Sequence, residues 1–307
     1  LVLVAWVFLL VACTQNNSPN EVQVSRESPK IKVTTTVNMV SDLIRQIGAE
    51  HVEVVEIMGP GVDPHLYKAS ANDVTKLQEA DAIFYVGLLL EGKMEEVLDK
   101  LKAGGKPVYA VTENIDANRL LKPDEFEGHF DPHIWFEVLL WKETIDAVVS
   151  SLGKLDPANK VDYEANGRTA KAKMDELQQW AEAKVAEIPL EKRILVTSHD
   201  AYNYFGRAYG FKVVALQGIS TVSEAGLADR TKLVDFLKSQ KVKAIFVETT
   251  VNPEAIKAIA LDAGVTVGGE LFSDAMGERG QMEGELDLGT YEGMIRHNIS
   301  IIVKALR

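Results

Sequence analysis

Residues 158–188 read ANKVDYEANGRTAKAKMDELQQWAEAKVAEI, a stretch with a single glycine and no strand pattern. Apolar residues recur in it at spacings of three and four, the period of a helix with one buried face. These residues are Met174, Leu177, Ala181, Val185 and Ile188. Because strand patterns lie on both sides, the stretch is predicted to be a long helix that joins two lobes. A core helix of one domain would show the same pattern and is the alternative.

Short β-branched runs alternate with amphipathic stretches on either side of this helix. Before it stand IKVTTT (31–36), VEVVEIM (52–58), AIFYVG (82–87) and PVYAVT (107–112), and after it RILVTS (193–198), KVVAL (212–216), AIFVET (244–249) and VTVGG (265–269). The alternation predicts an α/β fold of two similar lobes with mainly parallel sheets. We expect an N-terminal lobe at 31–157, the linking helix at 158–188 and a C-terminal lobe at 189–307. One further helix is predicted near 138–152.

The amino-terminal residues LVLVAWVFLLVA (1–12) are apolar and uncharged. This run is too short to cross a bilayer alone but suits the apolar core of a signal peptide, here expected to be truncated. The following Leu10-Val11-Ala12-Cys13 resembles a bacterial lipobox and predicts lipidation of Cys13, the only cysteine. A buried cysteine beside a secretory cleavage site is the alternative. The polar residues 13–30 predict a flexible, lipid-anchored tether, and hence a protein held outside the cytoplasm, in the periplasm or on the outer face of the cell membrane.

The charge balance excludes some classes of partner. The chain of 307 residues has a formal net charge of -12 and no stripe of clustered Lys and Arg, which argues against a nucleic-acid partner. An acidic surface is compatible with cations. No phosphate-binding P-loop is present, so the chain is not an ATPase of that class.

The tripeptide Asp-Pro-His occurs twice, in GVDPHLYKAS (61–70) and GHFDPHIWF (128–136), although the chain has only six histidines. Proline fixes its own φ and keeps the preceding residue extended, so the tripeptide is a stiff turn that presents an imidazole. His65 and His133 both follow predicted strands of the first half. Ligands of parallel sheets bind outside the carboxyl ends of the strands, so both histidines are candidate metal ligands.

The second half offers two more candidates at strand ends. His199 ends the strand in ILVTSHDAYNYF, and Asp274 follows the last strand in GGELFSDAMG. His199 and Asp200 alternatively cap a helix, and Asp274 is alternatively a turn residue. Because each half contributes two strand-end residues, we expect them to meet in the cleft between the lobes. Three imidazoles of ordinary pKa predict metal release as the pH falls through about 6 to 5.

Five segments together resemble a known family: VDPHLYKAS, FDPHIWF, VTSHDAYNYFGRAYGF, LQGISTVSEAG and GGELFSDAMG. In this order and spacing they are similar to the TroA-like metal-binding lipoproteins, the solute-binding components of bacterial ABC importers. The resemblance covers residue 31 to the end. It implies Zn²⁺ or Mn²⁺ bound between two α/β lobes by His65, His133, His199 and Asp274, and a monomeric receptor that delivers the ion to a membrane permease powered by a separate ATPase.

The choice of metal stays open in the sequence. Some manganese-binding members of that family carry Glu at the position of His199, and many zinc-specific members carry a long His-rich acidic insertion that this chain lacks. Three imidazoles and one carboxylate suit tetrahedral Zn²⁺, whereas Mn²⁺ prefers more oxygen ligands. The donor set therefore favours zinc in affinity and leaves manganese open as the physiological ion.

A zinc hydrolase is the alternative function, because three histidines also hold catalytic zinc with one open position. No H-E-x-x-H unit is present, and a fourth protein ligand would close the coordination shell. No residue pattern supports an adhesin. Other residues are weaker candidates for a role at the metal site. The remaining histidines, His51, His129 and His297, are expected to be structural or loop residues. Trp135, Tyr202 and Tyr204 are candidates for the wall of the site, and Glu248 is a candidate to orient an imidazole.

Overall fold

A computed structural model describes residue 2, residues 29–126 and residues 128–307. Strands and helices alternate in the first half, as the sequence predicts. The elements are β1 (Ile31–Val37), α1 (Asn38–Gly48), β2 (Val52–Met58), α2 (Ala71–Glu79), β3 (Ala82–Tyr85), α3 (Glu95–Ala103), β4 (Val108–Ala110), α4 (Val138–Trp141) and α5 (Thr144–Leu155).

The strands of the first half form one parallel sheet in the order β2-β1-β3-β4. Val33 of β1 faces Val54 of β2 on one side and Ala82 of β3 on the other. From Val33 to Val37 the central strand is buried throughout, as expected for a parallel strand covered on both faces. All four strands point the same way, so the loops after β2 and β4 leave from the same edge of the sheet.

The long helix α6 (Lys160–Val185) lies between the two lobes. It packs against α1, α4 and α5 of the first lobe and against the C-terminal helix of the second. The predicted stripe is confirmed for Met174, Leu177, Ala181 and Val185, which are all buried on the helix, while Ile188 is buried beyond its end. The alternative of a core helix within one domain is therefore wrong. With 26 residues the helix is about 39 Å long.

The second half contains two parallel strand pairs and one hairpin. Its elements are β5 (Ile194–Thr197), α7 (Asn203–Tyr209), β6 (Lys212–Ala215), α8 (Leu227–Gln240), β7 (Ala244–Glu248), α9 (Glu254–Ala263), β8 (Thr266–Leu271), β9 (Met282–Glu283), β10 (Leu286–Asp287) and α10 (Tyr291–Leu306). Strand β5 pairs with β6 and β7 pairs with β8, both parallel, and β5 lies beside β7. Among the described strands, only β9 and β10 pair antiparallel.

Helix α10 packs directly over β8, at two adjacent glycines, Gly268 and Gly269. Gly269 has φ of 152°, and a Cβ there would lie 2.5 Å from Cγ2 of Ile301. A side chain at this position would therefore both strain the backbone and clash with α10. The loop after β8, which carries Asp274, is thus held against the C-terminal helix.

One prediction from the sequence is corrected by the structure, and another concerns residues that the structure does not describe. The helix predicted near 138–152 is interrupted after Trp141, whose carbonyl accepts a hydrogen bond of 2.7 Å from the buried Thr144 hydroxyl. The signal peptide, most of the tether and Cys13 lie outside the described residues. Among the helices that are described, none has the length and apolar composition needed to cross a bilayer.

Candidate metal centre

Four side chains from the two lobes converge on one point. One ligand atom from each of His65, His133, His199 and Asp274 lies within 4.8 Å of the other three. The contacts are 3.3 Å from Nε2 of His65 to Nε2 of His133, 3.3 Å from Nε2 of His133 to Oδ1 of Asp274, and 3.2 Å from Nε2 of His199 to Oδ2 of Asp274. Zinc bonds of 2.0–2.1 Å in a tetrahedron separate the ligand atoms by about 3.3 Å. These three contacts match that edge length, and all four ligand atoms lie within 4.8 Å of one another, close enough to share one ion.

Strand ends place these four residues, as the sequence predicts. His65 and His133 stand on the loops that follow β2 and β4, while His199 follows β5 by two residues and Asp274 follows β8 by three. The helix-cap alternative for His199 is wrong, because α7 begins at Asn203 without a side-chain cap. All four side chains are at most 3% exposed.

The doubled Asp-Pro-His has one geometry in both copies. Oδ1 of Asp63 accepts the backbone N–H of His65 at 2.9 Å, and Oδ1 of Asp131 accepts that of His133 at 2.9 Å. The proline stiffens a turn that the aspartate closes onto the histidine two residues later. The tripeptide therefore fixes the backbone from which each imidazole projects.

Buried carboxylates orient two of the three imidazoles. Oδ1 of Asp131 also contacts Nδ1 of His133 at 2.8 Å. Glu248, at the end of β7, hydrogen-bonds Nδ1 of His199 and accepts the backbone N–H groups of Ser198 and His199 at 2.7 and 2.9 Å. A carboxylate on Nδ1 fixes the tautomer whose Nε2 faces the centre. The prediction for Glu248 is confirmed. Asp131 was not among the predicted site residues, although its place in the repeated Asp-Pro-His was a signal for it.

Polar atoms in this centre lack partners of their own. Both carboxylate oxygens of Asp274 and Nε2 of His199 are buried without a well-aligned hydrogen bond. A buried ionised group without a partner costs several kcal/mol, so such groups are expected to be paired or to coordinate a metal. A divalent cation at the midpoint would satisfy these three atoms together.

The carboxylates also set the protonation of the site before an ion binds. Burial lowers the pKa of His133, but the charge of Asp131, its hydrogen bond to the ring and the adjacent carboxylate of Asp274 outweigh burial and raise that pKa to about 9. Glu248 and Asp274 overcome burial in the same way and raise the pKa of His199 well above its usual value. Burial lowers the pKa of His65 to about 3. The ion therefore competes with protons mainly at His133 and His199.

The weaker histidine candidates lie elsewhere. Nε2 of His51 contacts Asp162 at 3.1 Å, His129 packs edge-on to Phe126, and His297 bonds Glu283 and a main-chain carbonyl. None of the three belongs to the convergent group.

The aromatic candidates lie around the centre. The Trp135 ring centroid lies 5.3 Å from that of His133, and its Nε1 donates to the carbonyl of Ser273 at 3.0 Å. Tyr204 is buried and donates to the carbonyl of Asp131 at 2.9 Å. These two bonds run between the lobes. The Tyr202 hydroxyl donates to the carbonyl of Phe272 within the second lobe at 2.9 Å, so all three side chains hold the loops that carry the ligands.

Comparison with known proteins agrees with this geometry. The family described as zinc-uptake complex component A, periplasmic, matches residues 33–305. The chain belongs to this zinc-uptake component family.

Relatives of the chain carry the names of two metals. The manganese-binding lipoprotein MntA of Bacillus subtilis is 46% identical over 283 residues, covering 91% of this chain and 90% of the relative. The zinc-binding protein TroA of Treponema pallidum is 45% identical over 279 residues, covering 89% and 88%. Sequence identity alone therefore does not choose between zinc and manganese.

Solved structures show the same fold. The periplasmic zinc-binding protein TroA from Treponema pallidum superposes with a TM-score of 0.85 at 43% identity, covering 91% of this chain and 99% of that one. A manganese-bound periplasmic metal-binding protein from Candidatus Liberibacter asiaticus gives a TM-score of 0.78 at 26% identity, covering 91% and 100%. The family is one of uptake components, and the hydrolase alternative finds no support in it.

Proposed function

We propose that this chain captures one divalent metal ion outside the cytoplasm and delivers it to an ABC importer, whose permease and ATPase are separate chains. The observation that carries the proposal is the set of four buried donor atoms, from His65, His133, His199 and Asp274, that lie within 4.8 Å of one another. Family membership and relatives named as binding lipoproteins support it.

Zinc is the ion that the donor set favours. Three imidazoles and one carboxylate at tetrahedral spacing match Zn²⁺, and a closed shell of protein ligands leaves no position for a catalytic water. Bidentate binding by Asp274 would add an oxygen and so accommodate Mn²⁺. We therefore propose tighter binding of zinc, with manganese as the competing cargo.

The wider organisation is proposed on the same basis. We divide the chain into lobes at 31–157 and 189–307 joined by residues 158–188, acting as a monomer. Cys13 is proposed to carry the lipid that holds the chain at the membrane, because it ends a lipobox-like tetrapeptide. Relatives named as lipoproteins support this anchor.

Metal-induced stabilisation of ligand variants tests the proposed function. Zinc at a thousandfold excess over Kd should stabilise the wild-type protein by about 4 kcal/mol. His133→Ala should lose most of this gain, because it removes one of four ligands, while His297→Ala should keep it. The measurement is the unfolding temperature with zinc, with manganese and with EDTA.

His133 is fully buried rather than a loop residue outside the core, so folding of the variant is checked separately. Circular dichroism of the EDTA-treated variant gives this check, and His133→Gln offers a larger replacement side chain. An unchanged zinc shift in a folded His133 variant would contradict the ligand set.

A further inference from the structure

The ligands are buried, so an ion reaches them only when some part of the protein moves. A cavity of about 470 Å³ adjoins them from both lobes. Its lining includes Asp63 and Leu66, which flank His65, and Ser198, which precedes His199. This cavity is therefore placed to connect the ligand set with solvent.

Two of the residues that line this cavity, one from each lobe, form a hydrogen bond with each other. The hydroxyl of Thr221, on the segment between β6 and α8, donates to Oδ2 of Asp63 at 2.6 Å. The other oxygen of the same carboxylate holds the backbone N–H of His65. Thr221 is thus connected to a proposed metal ligand through a single side chain. Among the described residues, this is the only hydrogen bond from the loop 59–70 to the second lobe.

The loop that carries His133 is held far more firmly. The Tyr204 hydroxyl donates to the carbonyl of Asp131 at 2.9 Å, and the Asn203 amide donates to Oδ2 of Asp131 at 3.2 Å. Trp135 adds its bond to Ser273. With the bond from the Tyr291 hydroxyl to the carbonyl of Trp135, four hydrogen bonds hold the His133 segment to the second lobe, whereas one joins the His65 loop to it.

We propose that the Thr221–Asp63 hydrogen bond is a latch between the lobes, and that the ion enters and leaves through the adjoining cavity when the latch opens. The inference rests on the proposed function and extends it to the rate of ion exchange. Opening the latch frees the carboxylate that fixes the His65 backbone, so the path clears and one ligand loosens in the same movement.

Unpaired polar atoms on the cavity wall support the path. The Ser198 hydroxyl and Oε1 of Gln217 are buried without a hydrogen-bond partner, and both residues line the cavity. Glu224 adds a carboxylate to the same wall. These oxygens would accept hydrogen bonds from the water molecules around a hydrated cation that passes through the cavity. An apolar cavity would exclude such a cation.

Thr221→Val tests the latch, because it keeps the side-chain shape and removes only the hydroxyl. Zinc release into excess chelator, followed by stopped flow, should accelerate about tenfold or more, the factor expected for losing a hydrogen bond to a charged carboxylate. Zinc capture should accelerate as well. The affinity should change less than either rate, since the substitution removes no metal ligand.

Two variants isolate the effect of the hydroxyl. Thr221→Ser keeps it and should exchange zinc at the wild-type rate. Thr250→Val is the matched control, because Thr250 lines the same cavity but pairs with Ser273 of its own lobe at 2.8 Å, and its exchange should also stay at the wild-type rate.

Three results would overturn the latch. They are wild-type exchange in Thr221→Val, equal acceleration in Thr250→Val, and acceleration in Thr221→Ser as large as in Thr221→Val. Failure of the wild-type protein to bind zinc would contradict the proposed function and the latch with it. Normal zinc binding by the wild type with unaltered exchange in Thr221→Val contradicts the latch alone.

Discussion

At the scale of single residues, the histidines of this centre depend on carboxylates that never reach the centre themselves. Asp131 has no exposed surface and uses one oxygen for both the backbone and the ring of His133. Glu248 does the same for His199 with its two oxygens. Such partners fix the ring and increase the basicity of the ligand nitrogen.

Replacement of Asp131 should therefore weaken binding without removing a ligand. We expect Asp131→Asn to lower zinc affinity about 10- to 100-fold, the usual loss when a carboxylate behind a ligand histidine is replaced. Competition with a chromophoric chelator measures the change.

Asp116→Asn provides a matched control for this replacement. Oδ1 of Asp116 accepts the backbone N–H of Asn118 at 2.9 Å in the same kind of turn, on the exposed surface away from the site. Its affinity should equal that of the wild type. Equal affinity of Asp131→Asn and Asp116→Asn would show that the carboxylate behind His133 has no part in binding.

At the scale of the elements, the linking helix α6 stabilises both lobes at once. Its buried face contacts helices of each lobe, so its packing is part of a shared core rather than a flexible connection. The motion that admits an ion is thus expected to be small and local, as in shear between packed elements.

Truncation on the buried face of α6 should be costly. Leu177 is 1% exposed, and Leu177→Ala should lower the free energy of unfolding by about 2–5 kcal/mol through lost burial and a cavity. Val161, on the same helix but 71% exposed, should tolerate Ala within about 0.5 kcal/mol. Urea unfolding of the EDTA-treated protein measures both. A small loss at Leu177 would place α6 outside the shared core.

At the scale of the whole molecule, ion binding is an exchange of charge. His133, with a pKa of about 9, and His199, with a pKa raised well above its usual value, are protonated at pH 7 before the ion binds. The formal net charge is -12 with all histidines neutral, so it is -10 with these two protonated and stays -10 when a dication displaces both protons. Capture should therefore depend strongly on pH and only weakly on ionic strength.

The sign of the pH dependence follows from these pKa values. Protons compete below the raised pKa values, so zinc affinity should increase with pH by about two decades per pH unit between pH 6 and 8, and less steeply above the His133 pKa of about 9. Competition thus begins well above the pH of 6 to 5 expected for ordinary imidazoles. Titration calorimetry in buffers of different ionisation enthalpy counts the protons released. No proton release at pH 7 would contradict the protonated state.

The local pattern of the sequence determined the strands, the linking helix and the four candidate ligands. Periodicity and turn chemistry are properties of neighbouring residues. The apolar stripe from Met174 to Val185 and the stiff Asp-Pro-His turns can therefore be predicted without a structure. The carboxyl ends of parallel strands lie at the same edge of a sheet, and for this reason His199 and Asp274 were predicted to be ligands. The role of Asp131 was legible in part, because the repeat marks it.

Only the tertiary structure decided which distant groups complete the site. Thr221 meets Asp63 across 158 residues, and the structure assigns Glu248, predicted as a partner of an imidazole, to His199 across 49 residues. No local period specifies the paths of these loops. The packing of the two lobes also buries His133 completely. Burial and pairing depend on how the two lobes pack around α6, and this packing sets the raised pKa values and the latch.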